Sequence, residues 1–136
     1  MHALPSGLPE HVADVEDLSR FLTQSSQFNS FGAKPAAFLP NPKYRNTSVF
    51  RLGNAPELLG QTWKENDKSG RPLKGVAICN AKDVRIARLD VLAAEPPPGH
   101  ANIEGWLWIE SDPELQKAQQ LEAAGQLAKA SKVVPL

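Results

Sequence analysis

The sequence is poor in the residues that build disulfides, metal clusters and membrane spans. It has one cysteine, three histidines and no long apolar run. Cys79 alone cannot form an internal disulfide or a cysteine-based zinc cluster. No stretch approaches the roughly 20 apolar residues of a membrane-spanning helix. Residues 1–9 also lack the basic and apolar segments of a signal peptide. These absences predict a soluble cytoplasmic protein that does not enter a membrane.

The common catalytic and metal-binding motifs are missing as well. His2, His11 and His100 include no pair at i, i+4 spacing, and there is no glycine-rich phosphate loop or G-x-S-x-G elbow. We therefore predict no metal site and no cofactor. Cys79 lies in the apolar run KGVAICN and is interpreted as a buried small side chain rather than a nucleophile.

What the chain does contain is typical of one globular domain. It has 136 residues, of which 41% are hydrophobic and 22% charged. This length and composition predict a single domain over 1–136 with its own core. Within it, residues 1–11 are interpreted as a mobile arm and residues 132–136 as a tail.

Two helices are predicted at opposite ends of the chain. Apolar residues at helical spacing after Asp14 predict a first helix over 15–24. Asp112 or Ser111, followed by Pro113, predicts a long helix over 113–131. Its expected inner stripe consists of Leu115, Ala118, Leu121, Ala124 and Ala128.

Strands are predicted at 36–39, 47–52, 74–80, 89–93 and 101–104, with a helix over 55–64 and helical turns over 81–88. Strands and helices are mixed without strict β-α-β alternation. The sequence therefore predicts an α+β domain. Its mixed or antiparallel sheet of four to five short strands is packed by the two terminal helices.

Charge is balanced overall but uneven along the chain. Residues 1–30 have a net charge of −3, residues 31–88 of +7 and residues 89–136 of −4. The central segment either forms a cationic face or is neutralised when the three segments pack together. Under the first alternative, the chain is a binding or accessory module for an anionic partner, meaning nucleic acid or a nucleotide-bearing molecule. Lys43, Tyr44 and Arg45, joined by Arg51, would form the contact patch.

Two other functions remain open from the sequence. In the first, the chain is a small enzyme acting on a nucleotide or phosphoester: Arg51 binds phosphate, His100 moves a proton and Glu104 assists. In the second, Trp106 and Trp108 form the interface of a homodimer or a protein complex. The alternative for each is structural: Arg51 pairs with a carboxylate, and the tryptophans pack in the core.

Overall fold

Eight short strands and two helices make up the described part of the protein. The computed structural model describes residues 4–51, 73–96 and 98–135. The strands are β1 (Asp17–Leu22), β2 (Phe28–Asn29), β3 (Gly32–Ala33), β4 (Thr47–Arg51), β5 (Gly75–Asn80), β6 (Asp90–Ala93), β7 (His100–Glu104) and β8 (Lys132–Pro135). The α-helices are α1 (Ala81–Ile86) and α2 (Pro113–Ala130), and 3-10 turns span Ser25–Gln27 and Pro35–Ala37.

Six of the strands form one sheet in the order β6-β7-β4-β1-β5-β8, and every neighbouring pair is antiparallel. The short β2 and β3 pair with each other as a separate ribbon. The predicted mixture of helices with an antiparallel sheet is confirmed, but the sheet has more strands than the four to five expected. One extra strand is β8, which the sequence suggested was a tail and which pairs with β5 at the sheet edge.

Strand alternation gives the sheet two faces. We call the side on which α2 lies the packed face. It carries a row of fully buried side chains that includes Leu18, Val49, Ala77 and Ile103. Ala124, Leu127 and Ala128 of α2 complete this core. The opposite side, which we call the second face, is buried near β1 and β5, at Ser19 and Val76. At β4 and β6 it is accessible.

The helix predicted over 15–24 is wrong, because this segment contains β1. Leu18 and Leu22 are both fully buried on the packed face. Their spacing of four residues suits one face of a helix, but it is also an even number and so places both on one face of a strand. Asp14, the expected helix cap, instead forms an ion pair with Arg85.

The strand predicted over 36–39 is also wrong. Pro35–Ala37 is a 3-10 turn that sets Phe38 into the core, where its side chain is fully buried. The Phe38 carbonyl oxygen accepts a hydrogen bond of 2.8 Å from the Thr47 hydroxyl. A short apolar run does not distinguish a strand from a buried turn of this kind.

Helix α2 starts as predicted, with the Asp112 carboxylate accepting from the backbone N–H of Leu115. Its buried stripe differs from the expected one. Leu115 and Leu121 are exposed, whereas Gln120 is buried beside Ala124 and Leu127. The reason is that Gln120 donates a 2.7 Å hydrogen bond to the Leu107 carbonyl, so a polar residue anchors the segment after β7.

The remaining predicted strands, 47–52, 74–80, 89–93 and 101–104, correspond to β4, β5, β6 and β7, and the turns at 81–88 contain α1. The predicted helix over 55–64 lies outside the described residues. In the N-terminal segment, Ser6 hydrogen-bonds Glu95 and the Pro9 carbonyl accepts from Arg51. The described part of the predicted arm is thus tied to the domain.

Candidate functional site

The two residues of the predicted phosphoester site lie on opposite faces of the sheet. In the β4–β7 pair, Phe50 is opposite His100 and Ser48 is opposite Asn102. Arg51 follows Phe50 on β4, so its side chain belongs to the packed face, whereas His100 belongs to the second face. Arg51 and His100 therefore do not converge on one substrate.

Arg51 is used structurally. Its side chain has no solvent exposure, and its Nε and Nη2 atoms donate to the two carboxylate oxygens of Glu16 at 2.7 and 2.8 Å. Burial on its own would raise the pKa of Glu16. Hydrogen bonds from Arg51 and the Ala13 backbone, together with the Arg51 charge, bring that pKa below its ordinary value. Arg51 is the carboxylate-paired arginine that the sequence left open as an alternative.

The His100 side chain instead contacts a serine. The Ser48 Oγ lies 2.7 Å from His100 Nε2, and the Ala94 carbonyl oxygen lies 2.9 Å from His100 Nδ1. A carbonyl oxygen only accepts, so in the neutral ring Nδ1 carries the proton and Nε2 presents its lone pair. The Ser48 hydroxyl then donates to Nε2. Ala94 is itself fixed, because its N–H donates to the His100 carbonyl at 2.9 Å.

Two further contacts hold this pair in place. The His100 ring centroid lies 5.3 Å from that of Phe50, which stacks nearly parallel on Phe21 at 5.0 Å. On the other side of β4, Arg20 donates to the carbonyls of Ala37 and Ser48 at 2.8 and 2.9 Å. Burial lowers the pKa of Arg20 to about 10. The backbone of Ser48 is thus held by an arginine, while its side chain is exposed.

Glu104 shares the second face with His100 but not its surroundings. It lies four residues further along β7, a separation of about 13 Å at the rise of an antiparallel strand. Its Oε1 accepts from the Asn46 amide at 3.2 Å. Glu104 therefore does not orient the His100 ring, a role that the Ala94 carbonyl fills.

The predicted anion-binding patch lies in the turn before β4. Asn41 Oδ1 accepts from the backbone N–H groups of Lys43 and Tyr44, and Arg45 has a φ of +60°. Tyr44 is 64% exposed, and the Lys43 Nζ lies 5.3 Å from its ring centroid. Arg45 sits 4.8 Å above the Trp108 ring and pairs with Glu110 at 3.2 Å. These residues thus form one exposed cluster of aromatic and cationic groups, with one carboxylate inside it.

The central positive segment is partly neutralised by the two acidic segments. Arg45 pairs with Glu110, Arg51 with Glu16, and Arg85 with both Asp14 and Asp90. Each of these acids comes from residues 1–30 or 89–136. The described ion pairs support the alternative in which charges cancel as the segments pack.

The two tryptophans do not share an exposed surface. The chain leaves β7 at Gly105, which has a φ of +90°, so Trp106 and Trp108 are not on a strand. Trp106 is 5% exposed and belongs to the core, and its buried indole N–H has no hydrogen-bond partner among the described residues. Trp108 is half-buried under Arg45.

Sequence reasoning singled out His100 but missed its partner. Ser48 alternates with Val49 in the run TSVFRL, so its position on an accessible sheet face was predictable. Its register against His100 was not, because it depends on how β4 and β7 pair. Cys79 is buried as predicted, and burial raises its pKa to about 12.

Comparison of the chain with protein-family models, curated proteins and solved structures finds no significant match. Within residues 4–51, 73–96 and 98–135, no three histidine, cysteine, aspartate or glutamate side chains are grouped to hold a metal ion. No helix in those same ranges is both long and apolar enough to cross a membrane. The function is therefore argued from the site itself.

Proposed function

We propose that the protein is a small enzyme that transfers or hydrolyses acyl groups, with Ser48 as nucleophile and His100 as general base. This keeps His100 from the enzyme predicted above and replaces Arg51 by Ser48. The supporting observation is the chain of contacts from Ser48 Oγ through the His100 ring to the Ala94 carbonyl. It contains the nucleophile, a base within hydrogen-bond distance and a group that orients the base.

The fixed tautomer is what makes this arrangement a candidate for catalysis. A histidine can remove the serine proton only through a nitrogen that has a free lone pair. The Ala94 carbonyl assigns the ring proton to Nδ1, so Nε2 faces Ser48 in the basic form. The same carbonyl continues to accept from Nδ1 once His100 has taken the proton.

The reaction follows from these positions. Ser48 Oγ bonds to the substrate carbonyl carbon while its proton moves to His100 Nε2. The tetrahedral intermediate breaks its bond to the leaving group, which takes that proton from His100. Water then bonds to the acyl carbon while its proton moves to His100 Nε2, and the second tetrahedral intermediate breaks its bond to Ser48 Oγ, which takes that proton as the acid leaves. The leaving group thus carries away the original serine proton, a proton from water replaces it on Ser48, and His100 ends neutral as it began.

A fluorophosphonate reagent tests the proposal directly, because it modifies activated serines. We expect mass spectrometry to find one adduct, on Ser48, and S48A to remain unmodified. H100Q should be labelled about 100-fold more slowly, the lower end of a general-base contribution. S30A, which alters another exposed serine, is the matched control and should be labelled like wild type. An adduct elsewhere, or equal labelling of H100Q, would disprove the proposal.

The exposed turn supports a second candidate function, binding of an anionic partner such as single-stranded nucleic acid. Its specific observation is that Tyr44 is exposed and flanked by Lys43 and Arg45. Aromatic rings stack on bases while cations contact phosphates. A labelled oligothymidine should bind with an affinity that falls as salt rises, and Y44A should weaken it at least about fivefold. K117A, at an exposed position of α2, is the control. Binding that ignores salt or Tyr44 would exclude this candidate.

A further inference from the structure

We infer that the substrate of the Ser48 site is an uncharged carboxylic ester with an apolar acyl group, and that Asn102 stabilises the oxyanion. This inference rests on the proposed function, since it assigns the surroundings of the same serine. It differs from the phosphoester expected from the sequence. Three observations carry it: the register of Asn102, the charge of the neighbouring positions and the apolar side chains on both sides.

Asn102 is the residue directly opposite Ser48 in the β4–β7 pair. Both side chains are on the second face, where opposed Cβ atoms are about 4.5–5.5 Å apart. Asn102 is half-buried, and its amide makes no hydrogen bond to any residue of the described ranges. An amide N–H at this position can donate to an oxygen on a carbon bonded to Ser48 Oγ. Side-chain amides serve this purpose in acyl-transfer sites.

The positions around Ser48 on the second face carry no ammonium or guanidinium group, and the one carboxylate among them, Glu104, would repel an anionic substrate. They are Phe21, Phe50, Leu92, His100, Asn102 and Glu104. Arg20 on β1 and Arg51 on β4 belong to the packed face, where Arg20 donates to carbonyls and Arg51 pairs with Glu16. A phosphoryl group spreads negative charge over three oxygens and is stabilised by cationic groups. A tetrahedral acyl intermediate places one negative charge on one oxygen, which a neutral amide suits.

Apolar side chains flank the pair on both sides. Phe50 adjoins the His100 ring and is backed by Phe21, with an angle of 11° between the two phenyl planes. On β6, Leu92 lies opposite Asn102 and is 53% exposed. An alkyl or aryl acyl chain laid over Leu92 or Phe50 would remove apolar surface from water on both partners. The site therefore favours a longer acyl chain over acetate.

The test compares p-nitrophenyl esters with p-nitrophenyl phosphate. We expect kcat/KM to be about tenfold higher for the butyrate than for the acetate, from burial of two methylenes. L92A should reduce this preference severalfold, and the phosphate should not be hydrolysed. N102A should lower kcat on esters about 100-fold with KM little changed. N102D, which keeps the shape but replaces the donor, should be at least as slow.

Thermal unfolding of N102A and N102D checks that both variants fold. Their results separate the inference from the proposed function. If the fluorophosphonate labels Ser48 in wild type but N102A and N102D keep the wild-type kcat, Asn102 is not the oxyanion donor. If wild type is labelled but hydrolyses the phosphate as fast as the esters, the assignment of substrate class is overturned. If Ser48 is not labelled at all, the proposed function fails and this inference with it.

Discussion

The two faces of the sheet at β4 and β7 contrast in what their side chains do. On the packed face, Val49 and Ile103 are buried in the core cluster that also contains Phe38 and residues of α2. One residue away on each strand, Ser48 is exposed and Asn102 is half-buried. The packed face thus carries hydrophobic stabilisation, and the second face carries the polar groups that can do chemistry. Because these roles alternate along the same strands, stability and activity should respond to different substitutions in neighbouring positions.

The contrast extends to Arg51 and His100, which the sequence suggested as parts of one site. Arg51 lies on the packed face, where its side chain is fully buried and paired with Glu16, so it is not accessible to a substrate phosphate. His100, opposite Phe50, reaches Ser48 on the other face. A charged residue at a strand end is therefore not evidence of a site until its face is known.

The largest effect expected from this contrast is on adjacent residues of β7. I103A should lower the free energy of unfolding by about 4 kcal/mol, because it leaves a cavity in a fully buried site. N102A, one residue earlier, should lower it by less than about 1 kcal/mol. Urea denaturation measures both values. Similar losses in the two variants would show that the faces do not differ in this way.

The next largest loss of stability is expected at the Arg51–Glu16 ion pair on the packed face. E16A should cost about 3 kcal/mol, because it leaves the buried Arg51 guanidinium without its counter-charge. E10A, at an exposed glutamate six residues earlier, is the control and should change stability by less than about 0.5 kcal/mol. If E16A were as stable as E10A, Arg51 would not depend on Glu16, and its assignment as a structural residue would lose its basis.

The same pair predicts a pH dependence. The pKa of Glu16 in the folded protein lies below its ordinary value of 4.5, so its contribution is complete above that pH and is lost as the pH falls through the folded pKa. The difference in unfolding free energy between wild type and E16Q should therefore be largest near neutrality and shrink below pH 4.5. Denaturation at several pH values measures it, and a constant difference would contradict the depressed pKa.

Sequence patterns predicted the positions of most strands, but they did not predict how helix α2 packs. β4, β5, β6 and β7 were predictable because β-branched or continuous apolar runs lie between turn residues. β1 was not, since Leu18 and Leu22 satisfy both helical and strand spacing. The α2 stripe failed because Gln120 fills a buried position through a hydrogen bond to Leu107, which no hydrophobic pattern encodes.

Only one of the two residues of the candidate site was predictable from the sequence. His100 stood out as a histidine before a strand, but its partner depends on the β4–β7 register, which spacing along the chain does not specify. The same limitation explains why Arg51 was grouped with His100. Within one strand, alternation shows which residues share a face. Which residues of two neighbouring strands share a face depends on the register between the strands, and the sequence does not specify that register.

Substitutions in the proposed catalytic pair, Ser48 and His100, should sharpen the contrast by affecting activity much more than stability. S48A removes one hydrogen bond at an exposed position, so we expect a loss of at most about 1 kcal/mol in unfolding free energy. H100Q should cost about as little, while both variants lose acyl transfer. Circular dichroism during urea titration gives the stability. A loss of several kcal/mol would make the pair part of the structural framework instead.

The smallest predicted effect is a gain in stability from a substitution at Arg88, just after α1. It should leave the second face of the sheet unchanged. Arg88 follows α1 with a φ of +64°, and the N–H groups of Arg88 and Leu89 donate to the carbonyls of Arg85 and Val84. This is the hydrogen-bond arrangement of a Schellman motif, which favours glycine at the left-handed position. R88G should raise stability by roughly 0.5–1 kcal/mol, the relief of left-handed strain less the added freedom of the unfolded chain.

R88A provides the matched control for that gain. It removes the same exposed side chain but retains a Cβ in the left-handed conformation, so it should not be stabilised. The rate of Ser48 labelling should be equal in wild type, R88G and R88A, because the turn lies at the end of α1 and the reacting groups lie on β4 and β7. A stabilised R88G with altered labelling would show that the two sides of the sheet are coupled.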